Sequence, residues 1–122
     1  MRQVPGSVAV RRSHTPSKGS FGPTMAQLGV YLAKLRAFEE ARKLVTDAAA
    51  LAPTSGDVLY RRAVVLALAG QRDEGIEALQ EAFAHGYSVA LAKDDEDLVT
   101  LRDSSRYQRL INSARLAEGG ER

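Results

Sequence analysis

The sequence predicts an all-α fold, an α–α superhelix of two helix hairpins plus a C-terminal helical cap, and three observations predict it. From residue 24 onward apolar side chains recur at spacings of three and four, the helical period. Residues 22–55 laid over residues 56–89 match at an offset of 34: Gly29 with Ala63 and Ala41 with Gly75, flanked by Leu32 with Leu66, Val45 with Leu79 and Ala48 with Ala82. Pro53, Gly70 and Gly86 punctuate the same stretch where helices should stop.

The elements follow in order. Thr24, with Gln27 three positions on, has the form of a capping box and starts a helix that runs to about Leu35. A second helix spans about Phe38 to Leu51 and ends before Pro53. Thr54 or Ser55 caps a third, running to about Ala69, where Gly70 supplies a left-handed stop. The fourth spans about Arg72 to His85 and is closed by Gly86. The one small residue per helix lets the two members of each hairpin approach closely, so the helix pair is the repeating unit.

The 122 residues suffice for a single domain that buries about 60 to 65% of its unfolded surface. Residues 1–23 carry Arg2, Arg11, Arg12 and Lys18 with no acid, a charge of +4 against about −2 for the rest. With Pro5, Pro16, Pro23 and several glycines and serines, this segment cannot bury enough apolar surface to offset its ordering entropy, and it is expected to be a disordered basic tail. The expected organisation is therefore that tail, a helical domain over residues 24–116 (repeats about 22–55 and 56–89, cap 88–116) and a disordered tail over 117–122. The absence of cysteine excludes thiol chemistry and disulfides and fits a reducing, cytoplasmic setting. The longest apolar run, Ala63 to Gly70, has a buried-helix length rather than a membrane-spanning one.

The stretch from Gly22 to Pro53, with Leu28, Gly29, FEEA at Phe38–Ala41, Val45 and Ala48, resembles a tetratricopeptide repeat (TPR), as does the stretch with Leu59, Ala63, Leu66, Gly70, Asp73–Gly75, Leu79 and Ala82. Arg62 stands where that family has an apolar residue and Tyr87 where it has a proline. The segment after the repeats, with Gly86-Tyr87, Leu91, Asp95, Asp97, Leu98, Leu101-Arg102-Asp103, Arg106, Tyr107, Leu110 and Ile111, is similar to the tail that follows TPR units in bacterial multidomain signalling proteins. The resemblance implies a protein-protein interaction scaffold, with the regulatory module of a signalling enzyme or transcriptional regulator as the alternative.

No residue pattern implies catalysis, a metal or a cofactor. The acid run Asp94-Asp95-Glu96-Asp97 fails as a calcium loop: counted from Asp94, the required glycine position holds Val99 and the bidentate position Ser105. Its expected role is at the head of a short helix, where carboxylates meet free backbone N–H groups. His14 has no partner at ligand spacing and His85 has only Glu81, one carboxylate, which does not make a metal site; His85 should face the C-terminal end of the fourth helix. There is no serine elbow and no phosphate loop. Nucleic acid is not the expected partner, since the folded part is mildly acidic; the basic tail alone gives weak, salt-sensitive binding.

Stacked hairpins line a concave groove with their first helices. The expected partner-binding residues are Gln27, Val30, Tyr31 and Lys34, then Asp57, Tyr60, Arg61 and Val64, facing a peptide or protein segment. In the cap, Leu91, Leu98, Leu101, Leu110 and Ile111 are expected to face inward, with Arg102, Arg106, Arg109 and Arg115 in solvent. The N-terminal side has no cap, so Met25, Leu28 and Leu32 predict an apolar face open to a second copy or an upstream domain.

Overall fold

A computed structural model describes residues 18–119, and all regular structure among them is helical. The chain folds as α1 (Lys18–Lys34), α2 (Phe38–Leu51), α3 (Gly56–Leu68), α4 (Arg72–Ala84), α5 (Val89–Lys93), a 3₁₀ turn over Glu96–Leu101, and α6 (Ser105–Gly119). The fold is all-α, and α2, α3 and α4 occupy the spans their punctuation predicts. The Ser55 hydroxyl accepts the Val58 N–H at 3.2 Å and so caps α3.

Three helices end alike. At the close of α1, Arg36 N–H reaches Ala33 O and Ala37 N–H reaches Leu32 O, both at 2.9 Å; Gly70 with Gln71, and Gly86 with Tyr87, repeat this double bond after α3 and α4. The motif needs a left-handed residue, supplied by Gly70 (φ 83°), Gly86 (φ 95°) and, in the first repeat, Arg36 (φ 70°). Arg36 and Gly70 are equivalent at the 34-residue offset, so the motif is kept even where glycine is not.

The helices pair as α1 with α2 and α3 with α4, and α3 packs on both members of the first hairpin. Close approach depends on the small residues in register. A Cβ placed on Gly29 would lie 3.3 Å from Ala41 O, and one on Gly75 would lie 3.6 Å from Ala63 O. Across the hairpin boundary, Val65 is buried with Ala33, Ala41 and Val45, and Val58 with Ala26 and Ala48. The larger core joins α3 and α4 to the C-terminal segment through Leu79, Leu98, Leu101, Tyr107 and Ile111.

Both ends depart from expectation. Thr24 does not start α1, which already includes Lys18 to Pro23. The cause is tertiary: Gly22 is buried, and a Cβ there would lie 3.0 Å from Ala52 Cβ and 3.3 Å from Ala48 O, so packing on the second hairpin helix holds the turn that carries proline. At the other end, α6 runs on through Ala117 and Glu118, good helix formers, to Gly119. The expected disorder of residues 1–17 and 120–122 lies outside the described residues.

Candidate interaction surface

The eight residues expected to line a groove separate into two groups. On α1, Gln27 and Tyr31 are exposed, Tyr31 at 60%, while Val30 is half-buried against the core. Lys34 is exposed and pairs with Asp97 at 3.2 Å. On α3, Asp57 and Arg61 form an ion pair at 3.2 Å across one helical turn, accessible to solvent. Tyr60 and Val64, by contrast, are buried, at 5% and 3%. These two are therefore corrections: the chain itself covers them, and they are not open to a partner.

What covers them is the acid-headed segment that follows α5. The 3₁₀ turn lies on α3, with Leu98 and Leu101 wholly buried, and the Thr100 hydroxyl donates to Ala67 O at 3.1 Å. Asp95 heads that turn. Its Oδ1 accepts the Asp97 N–H at 2.9 Å, and its Oδ2 accepts the Tyr60 hydroxyl. The Tyr60 ring stacks on Tyr87 with centroids 3.9 Å apart and planes 7° from parallel. Burial, followed by the hydrogen bond and charge of Asp95, pushes the Tyr60 hydroxyl far above its usual range; burial also raises Tyr87, with Asp57 and Asp95 adding to it. Both phenols are held neutral, and Tyr60 acts as a donor inside the fold.

Two further cap residues differ from expectation. Leu91 points outward at 62% exposure, because a single short helix turns only one face, carrying Val89 and Ala92, to the core. Arg102 is partly buried rather than solvated: its Nη2 donates to Lys93 O at 3.0 Å and Asp95 O at 2.7 Å, tying the end of α5 to the head of the 3₁₀ turn. Arg106 does reach out, pairing with Asp73 at 3.2 Å and Glu77 at 3.8 Å on α4.

The open surface belongs to α1. Phe21, Leu28 and Leu35, spaced by seven, are exposed together with Tyr31. Leu28 was expected on this face, but Met25 and Leu32 turn partly into the core instead. The signal for Phe21 is its heptad spacing from Leu28 and Leu35, which a helix beginning at Thr24 leaves out. His85 Nδ1 lies 3.3 Å from Glu81 O at the end of α4, and His14 lies outside the described residues. Among the described residues no three His, Asp or Glu side chains converge as metal ligands, and no helix is long and apolar enough to cross a membrane. No family model matches the chain, and no curated protein or solved structure is detectably similar to it.

Proposed function

We propose that this chain is a TPR-like adaptor that binds another protein or peptide, with the outer face of α1 as its docking surface. One observation carries the reading. Tyr31 is exposed on α1, whereas its counterpart one repeat on, Val65, is buried against the preceding hairpin. A repeat face that is covered once and bare once is a surface built for a helical neighbour, and Phe21, Leu28 and Leu35 extend it. Gln27 and Lys34 supply a polar rim, and Tyr31 a large aromatic anchor. The reading implies no catalysis, cofactor or metal, and the cysteine-free composition supports a cytoplasmic setting.

The test is capture of partners by the intact chain against a Leu28→Glu, Tyr31→Ala variant with an unchanged unfolding midpoint. Loss of one specific partner is expected; retention of every partner overturns the assignment of this face. Without a partner, the same stripe predicts self-association, seen as a sedimentation mass that rises with concentration and returns to monomer in Leu28→Glu. A second reading, the regulatory C-terminal module of a signalling enzyme or transcriptional regulator, draws on the same bare face, which an upstream domain would cover.

A further inference from the structure

Residues of α5 and α6, with Arg102 between them, line an open pocket of about 440 Å³. Tyr107, Ile111 and Arg115 follow one another at four-residue spacing along α6, with Gln108 and Asn112 beside them, so one helical face forms a wall. Lys93 and Arg102 close the opposite side. Three cations and two amides thus converge on an aromatic and aliphatic floor, with no carboxylate in the lining. Among the described residues no ion pair neutralises Lys93, Arg102 or Arg115.

Two details make this more than a basic surface. The Arg102 guanidinium is fixed by backbone carbonyls, Lys93 O and Asp95 O, instead of by an acid, so it keeps its whole charge while its orientation is set. Both of its bonds are made by Nη2, and its Nε is buried without a partner among the described residues. Tyr107 is 6% exposed and lines the pocket, its backbone N–H held by the Ser104 hydroxyl at 3.4 Å. Buried donors normally find acceptors, so the Arg102 guanidinium has donor capacity that the chain does not use up.

We propose that this pocket binds a small organic phosphate: a phosphoryl head held by Arg102, Arg115 and Lys93, and an apolar body resting on Tyr107 and Ile111. Guanidinium forks and amide donors match the several acceptor oxygens of a phosphoryl group better than the two of a carboxylate. The volume lies within the range of small-molecule sites and exceeds what the head alone requires, which is why the ligand is organic.

Phenyl phosphate titrated calorimetrically into the intact chain at low salt tests this, with benzoate as a second arm. Saturable binding is expected, weakened about tenfold by Arg115→Glu, the loss of one charge-assisted contact. Lys93→Glu should weaken it several-fold, and circular dichroism should show both variants folded. No saturation, or an affinity unchanged in both variants, overturns the site. Benzoate binding as tightly as phenyl phosphate overturns the phosphoryl assignment.

Discussion

Gly29 lies so close to Val45 that a Cβ on the glycine would sit 2.6 Å from the valine Cγ1. In the second hairpin the roles are exchanged: Ala63 occupies the first helix, Gly75 the second, and a Cβ on Gly75 would meet nothing nearer than 3.5 Å. Equivalent glycine substitutions therefore have opposite outcomes. Gly29→Ala should destabilise by about 1–3 kcal/mol through overpacking. Gly75→Ala should stabilise by up to about 1 kcal/mol, because it restores helix propensity without a clash. Urea midpoints of the two variants check this directly.

Tyr60→Phe removes the donor that Asp95 accepts from and should cost about 1.5–3 kcal/mol, the range for a hydrogen bond to a charged group. The raised hydroxyl adds a pH signature. Folded Tyr60 keeps its proton where the unfolded chain loses it, so its contribution is complete below about pH 10 and falls as pH rises beyond that value. Urea midpoints measured at rising alkaline pH should fall more steeply in the parent protein than in Tyr60→Phe. A tyrosinate absorbance titration should show that this phenol ionises only with unfolding.

The cap should be energetically uneven. Leu98→Ala opens a cavity in a fully buried site and should cost about 2–5 kcal/mol, whereas Leu91→Ala, on an exposed side chain, should stay within about 0.5 kcal/mol of the parent. Thermal unfolding of both variants separates the two faces of the segment.

At the left-handed helix stops, Gly70→Ala should cost about 1–2 kcal/mol. Arg36→Gly at the equivalent place relieves that strain but forfeits the Arg36 cation, 5.7 Å above the Phe38 ring. The net gain should therefore be less than about 1 kcal/mol. Denaturant midpoints of the pair test whether the motif has the same energetics in both repeats.

The middle of the fold was legible because its signals are local. Pro53, Gly70 and Gly86 stop helices by backbone geometry alone, and small residues repeated at a fixed interval mark where helices touch. The start of α1 was not legible, since Pro23 looks like a break until Gly22 is seen wedged against Ala52 and Ala48. The candidate surface was half legible. The repeat pairs Tyr31 with Val65 and Tyr60 with Ala26, but nothing local says that an aspartate 35 residues downstream of Tyr60 will accept a hydrogen bond from its hydroxyl and help cover it. The trace of it was Tyr87, an aromatic residue directly after the helix-ending Gly86, whose ring became the stacking partner of Tyr60.

The knot formed by Lys93, Asp95 and Arg102 gives the stack a polarity. Among the described residues, further hairpins added ahead of α1 would meet the exposed Phe21, Leu28 and Tyr31, whereas any appended behind α4 would first have to evict a segment whose Leu98 and Leu101 are already sealed inside. Among the described residues the array is a one-ended object: its leading edge leaves room for a further hairpin to stack, and its trailing edge does not.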